Sequence, residues 1–152
     1  MAAFDLRRVV PAPVPVVWQV VTDFGGYGRF IPLTTVRTDP GPPGQGWCFT
    51  GLTGLGQLRL PDTMRLTRWR PPVHAAAPAA FTVVKTGPLL AGWADVQVSP
   101  HPQGSLVRWQ EEIVPRPVAL GRLTAPLLDR GNAALFRHAL ARMAAEASPG
   151  GR

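Results

Sequence analysis

Cysteine is almost absent from this 152-residue chain: Cys48 stands alone, so no internal disulfide can form. A lone thiol suits a reducing compartment, and a cytoplasmic protein is the expectation. Lysine is as scarce, with Lys85 the single example. Lys and Arg together still number 16 against 9 acids, a net charge of +7. A basic chain invites a nucleic-acid reading. Here the arginines are scattered from Arg7 to Arg152, with no basic run and no zinc-ligand or RNA-binding aromatic spacing. Tracking phosphates requires clustered charge, so nucleic acid is not expected as a partner. No apolar run approaches the roughly 18 residues of a membrane span. The opening "MAAFDLRRVV" has no signal-peptide core, because Asp5, Arg7 and Arg8 interrupt it. There is no Walker loop, no GxGxxG and no GxSxG. No His/Cys/Asp/Glu set has metal-ligand spacing, so neither a metal nor another cofactor is expected.

What is present reads as one globular domain. Hydrophobic residues make up 45% and charged residues 16%, and the length suffices for one core. The domain is expected to span 1–152, with 148–152 as a frayed tail. "AFDLRRVVPAP" alternates as a first strand and stops at prolines. "PVPVVWQVVTDF" predicts a short helix with Pro15 in its first turn, where a missing N–H costs little; Val16, Val17, Val20 and Val21 sit at helical spacing, although β-branched residues are poor helix formers and a strand is the rival reading. "GGYGRFIP" predicts a glycine-broken turn or a second short helix. From Leu33 to Pro115, turn signals recur every ten residues or so, as an antiparallel meander requires. Within it, "GLTGLG" reads as a bulge or tight bend between strands. From Val118 to Ala147 apolar residues recur at three and four, with Arg122, Arg130 and Arg137 opposite. This predicts a long amphipathic helix, which Pro126 either kinks or starts. The order predicts an α+β fold in which an antiparallel sheet wraps a long C-terminal helix. One helix only half-fills a strongly curved sheet, so a cavity is expected between them.

The hairpin "GWADVQVSPHPQGSLVRWQEEIV" carries the main chemical clue. A turn that pairs Val98 with Val107 also pairs Val96 with Trp109 and Ala94 with Glu111. One face then holds Ala94, Val96, Val98, Val107, Trp109, Glu111 and Ile113, and the other is polar. Glu111 is thereby expected to face the cavity, its pKa raised by desolvation, as general acid or polar anchor. A one-residue slip would turn it outward. Asp62 shares parity with Met64 and Leu66 and is the second candidate acid, although "PDT" is also turn chemistry. Lys85 follows "FTVV" at a strand end, where a solvated lysine is the ordinary expectation. Its other options are pairing with either acid or binding an anionic ligand group. His138 falls within the apolar arc of the last helix and is a further candidate. Trp109 and Trp18 are the aromatic residues expected to line the cavity, with Val96, Met64, Leu66, Leu123 and Leu127. His74 and His101 sit in Pro-rich loops, and Cys48 reads as an inert thiol.

Several stretches resemble the START-like (SRPBCC) superfamily and its polyketide cyclase/dehydrase and lipid-transport group. "VPAPVPVVWQVVTDFGGYGRFIP" is similar to that family's first strand running into two short helices. "HPQGSLVRWQEEI" resembles its last hairpin, and "ALGRLTAPLLDRGNAALFRHALARMA" its closing helix. "TGLGQLRLPDTMRLTRW" and "VVKTG" resemble a bacterial subgroup. The resemblance implies the helix-grip fold, with two short helices after the first strand, and places Tyr27 and Phe30 near the cavity mouth. It implies binding of a hydrophobic or aromatic small molecule, polyketide- or lipid-like. The alternatives are a cyclase or dehydratase using a buried carboxylate, or an interaction protein using the Arg-rich face of the last helix. A monomer or homodimer is expected.

Overall fold

The computed structural model describes residues 2–116 and 118–150, and side chains for 3–116 and 131–150. Strand β1 (Ala2–Val10) stops at the proline-rich "PAP". Helix α1 (Val14–Val21) begins directly after Pro13, with Pro15 in its first turn. Its valines are poor helix formers. The helix forms because Val14, Val17, Trp18 and Val21, one stripe at three-and-four spacing, are buried. Val16, expected on that stripe, is exposed. A 3-10 helix (Phe24–Arg29) follows and buries Phe24 and Tyr27. The Tyr27 hydroxyl donates to the Val21 carbonyl, one of the acceptors that the end of α1 leaves open.

The remaining strands are β2 (Thr34–Thr38), β3 (Cys48–Leu55), β4 (Leu58–Arg70), β5 (Ala79–Lys85), β6 (Leu90–His101) and β7 (Gly104–Pro115). They form one seven-stranded sheet in the order β1-β7-β6-β5-β4-β3-β2, antiparallel throughout. The meander β2 to β7 is sequential, and β1 joins it beside β7. The chain therefore crosses from one edge of the sheet to the other through α1 and the 3-10 helix.

Two local features depart from simple alternation. "GLTGLG" is not a bend between strands: Leu52–Leu55 stay in β3, Leu55 pairs with Leu58, and only Gly56 and Gln57 form the turn. Gly54 has φ +148, and a Cβ there would meet the Leu58 carbonyl oxygen at 1.9 Å, so glycine is required. In β4 the register shifts between Leu66 and Arg68. This bulge brings Trp69 to the inner side, where it packs on Trp18 at 5.0 Å between ring centroids.

Helix α2 (Val118–Ala147) is one element, so Pro126 does not mark its start. Ala139, Leu140, Met143, Ala144 and Ala147 are buried in the core shared with α1 and the sheet. Ser148, expected to begin a frayed tail, is held by its N–H and hydroxyl to the Ala144 carbonyl, at 3.0 and 2.6 Å. Arg29 joins the 3-10 helix to Glu146 near the end of α2 at 2.8 Å. Among the described residues, no helix is long and apolar enough to cross a membrane.

Candidate functional site

The β6–β7 register pairs Val98 with Val107, Val96 with Trp109 and Ala94 with Glu111. Side chains alternate across a strand, so the inner face carries parallel rows. One runs Trp109–Val96–Phe81–Trp69, and the next Glu111–Ala94–Val83–Leu66. Beyond these, Lys85 lies opposite Met64, Met64 opposite Phe49, and Asp62 opposite Gly51. Val96 and the Val98–Val107 pair are enclosed by the core. A cavity of about 250 Å³ opens between sheet and helix, bordered by Trp109 and Phe81 of the first row and by Glu111, Ala94 and Val83 of the second. Its wall is chiefly aromatic. Phe24 stacks on Phe49 at 4.5 Å and meets Phe81 edge-on at 5.1 Å, while Trp109 lies 5.6 Å from Phe136 of α2.

The polar part of the wall is a triad. Lys85 Nζ lies 2.5 Å from Asp62 Oδ2 and 3.3 Å from Glu111 Oε1. Trp109 Nε1 donates to Glu111 Oε2 at 3.2 Å. Lys85 and Glu111 side chains are 2% and 3% exposed, and Asp62 is 21% exposed. The geometry follows from residue sizes. Ala94 is the residue directly opposite Glu111, and its short side chain leaves the carboxylate room to reach toward Lys85 on β5. Burial pushes the Glu111 carboxyl above its ordinary value, and Asp62 adds to this. Lys85 and the Trp109 N–H pull the other way without cancelling it. Burial pulls the Lys85 ammonium down, but Glu111 and Asp62 together hold it above its ordinary value. Burial, with Glu111 and Asp23 nearby, also pushes the Tyr27 phenol well up.

The expected site residues divide as follows. Glu111, Asp62, Lys85, Trp109, Met64 and Tyr27 line the cavity. Lys85 is not a solvated strand end; it is buried against two acids. Val96 and Leu66 face inward but are fully enclosed by the core and do not line the cavity. Trp18 packs on Trp69 and on Phe81 of the wall and does not itself line the cavity. Phe30 is buried beside Tyr27 and takes no part in the lining, and the exposed lining residues are Thr53 and Leu60. His138 is exposed, because the packed stripe of α2 runs through half-buried Phe136 and buried Ala139, Leu140 and Met143. At about 100° per residue, position 138 lies on the far side from Phe136 and Leu140. The side chains of Leu123 and Leu127 lie outside the described residues.

Sequence reasoning missed the aromatic wall of Phe24, Phe49, Phe81 and Phe136. A signal was available for two of them. Phe49 shares parity with Gly51, and Phe81 shares parity with Val83 and Lys85, on the same inward logic that marked Glu111.

Glu111→Gln is expected to keep the fold, since shape is preserved and Lys85 retains Asp62. Glu111 has a raised folded pKa, so its contribution to stability is complete below the ordinary carboxyl value and is lost as pH rises through the raised one. Thermal midpoints measured from about pH 4 to about pH 8 should therefore fall less in the Gln variant than in the wild type. Parallel curves for the two proteins would rule out the shift.

The family model for polyketide cyclase/dehydrase and lipid transport matches residues 1–148. No curated protein matches the sequence. Among solved structures, protein CV1439 from Chromobacterium violaceum aligns with TM-score 0.65 and 14% identity over 98% of this chain and 99% of that one. The ZhuI aromatase/cyclase from Streptomyces sp. R1128 aligns with TM-score 0.64 and 17% identity, covering 95% and 94% of the two chains. Norcoclaurine synthase from Thalictrum flavum gives TM-score 0.61 and 14% identity, covering 95% and 94%. At these identities the likenesses speak to the fold, and the two short helices, the seven-stranded sheet and the long closing helix agree with them. On the family match over nearly its whole length, the chain belongs to the polyketide cyclase/dehydrase and lipid-transport family.

Proposed function

We propose that this protein binds a small aromatic molecule in the cavity between the sheet and α2. The observation that carries the reading is the wall itself: aromatic rings on several sides and one buried polar cluster, the composition typical of small-molecule pockets. The volume sets the scale. About 150 Å³ suffices for benzene, so about 250 Å³ suits one or two fused rings. Ring stacking and apolar burial supply the affinity, and the triad orients the ligand. Titration with naphthalene tests this. Trp109 is the one tryptophan of the five that lines the cavity among the described residues, so saturable quenching of its emission is expected. Quenching should vanish in Trp109→Phe while calorimetric binding persists. No saturable binding of naphthalene would remove the reading.

Glu111 favours a second reading, proton transfer to a bound ligand. A carboxyl whose pKa is raised by burial beside a ring-lined cavity is equipped to act as a general acid. The aromatase/cyclase among the structural likenesses supports this by analogy of fold alone. On this reading, Glu111→Gln abolishes turnover of a polyketide-like substrate and leaves its affinity within about threefold, because a general acid acts only in the transition state.

A further inference from the structure

A lysine buried beside a ligand cavity suggests an anion receptor, but the surroundings of Lys85 argue otherwise. An ammonium has three N–H donors. Here Asp62 Oδ2 lies at 2.5 Å, Glu111 Oε1 at 3.3 Å and Met64 Sδ at 3.8 Å from Nζ, one acceptor for each. Of the other polar groups of the wall, the half-buried Asn132 amide of α2 also borders the cavity. Glu111 Oε2 accepts from Trp109, the Tyr27 hydroxyl donates to Val21, and the Thr34 and Thr53 hydroxyls bond each other at 2.8 Å. One fully buried acceptor is left over. Asp62 Oδ1 is shielded from solvent and has no donor within reach among the described residues. Asp62 lines the cavity, and a buried acceptor without a donor is costly until a donor arrives. Among the described lining residues Lys85 is the sole cation, and it already serves two carboxyl groups.

We propose that Asp62 Oδ1 sets the polarity of the cavity: it accepts a hydrogen bond from a neutral O–H or N–H on the aromatic ligand, and the triad turns carboxylates and other anions away. This rests on the aromatic-binding reading above and adds the chemical class of the ligand's polar group. A ligand carboxylate brings a third acid group to a single ammonium and offers Asp62 no proton. A phenol offers one and adds no charge. A ligand ammonium also offers protons, but it has to share the Asp62 carboxylate with Lys85 in a water-poor site.

The test is calorimetric titration of the full chain at neutral pH with three molecules of one skeleton: naphthalene, 2-naphthol and 2-naphthoate. The expected result is 2-naphthol at least tenfold tighter than naphthalene and 2-naphthoate at least tenfold weaker than 2-naphthol. In Asp62→Asn, Lys85 holds the amide oxygen and the amide N–H₂ faces the cavity. The preference for 2-naphthol over naphthalene should then disappear, and 2-naphthoate should gain at least tenfold. If 2-naphthoate binds the wild type as tightly as 2-naphthol, the polarity assignment is overturned while the aromatic site stands. If the Asn variant keeps the wild-type ratios, Asp62 is not the determinant. If none of the three binds, the aromatic site falls, and this inference falls with it.

Discussion

Lys85→Met is expected to destabilise the protein by about 3–5 kcal/mol at neutral pH, the cost of leaving a buried charge without its partner. For a chain of this size that lowers the thermal midpoint by on the order of 10 °C. Methionine keeps the length and the apolar stem, so packing is a minor part of the loss. The loss comes from Asp62 and Glu111, which remain near one another with the ammonium removed. Burial then acts on the Glu111 carboxyl without the opposing ammonium, and its folded pKa rises further above the unfolded one. Stability is therefore retained below the ordinary carboxyl range and lost as pH rises through the shifted Glu111 value. Lowering the pH toward about 4 should recover most of the deficit. Adding Glu111→Gln to Lys85→Met should recover much of it at neutral pH, since the remaining acid, Asp62, is partly exposed. The contrast with Glu111→Gln alone is the sharp part. One triad gives a mild variant and a severe one, according to whether the survivors are an ion pair or two acids. Equal stability of Lys85→Met and wild type at neutral pH would show that the two acids are not ionised together.

The hairpin was legible because it is local. Val98 and Val107 flank a Pro/Gly-rich turn, and parity then carries Glu111 inward along one strand. The same parity in β5 joins Phe81, Val83 and Lys85, but a charged residue closing a strand ordinarily reads as solvated. What makes its burial tolerable is Glu111 on β7 together with Asp62, which arrives from β4 and is 23 residues away in the chain. Such a partnership depends on the pairing of three strands and leaves no local pattern. Trp69 illustrates the other limit. Strict alternation from Leu66 puts Trp69 outside, and the bulge at Thr67 reverses that. On α2, apolar residues are dense enough that His138 falls within a loosely drawn arc. Only the packed stripe, drawn from actual burial, separates it from Ala139 and Leu140. The fold was therefore readable from element order and turn spacing. The wall of the cavity required knowing which strands meet.

Gly51→Leu is expected to close the cavity without harming the fold. Gly51 lies on the inner face of β3 with Phe49 and Thr53, opposite Asp62, and all four line the cavity. Its φ lies outside the left-handed region, and a Cβ built there meets nothing nearer than the Asp62 carbonyl oxygen at 4.0 Å. Glycine is not required by the backbone at this position, in contrast to Gly54. A leucine side chain extends into the open volume and contacts the aromatic wall. Stability should rise by about 1 kcal/mol, because glycine weakens a strand interior and leaves the unfolded chain more freedom to lose. Naphthalene affinity should fall by at least tenfold, since the added side chain takes the space of a ring. The pairing of these two results is what identifies a cavity kept open at some cost to stability, of the sort binding sites carry. A leucine variant that binds naphthalene as tightly as the wild type would place the ligand elsewhere. One that loses more than about 2 kcal/mol would mean that the space is already filled, as overpacked cores behave.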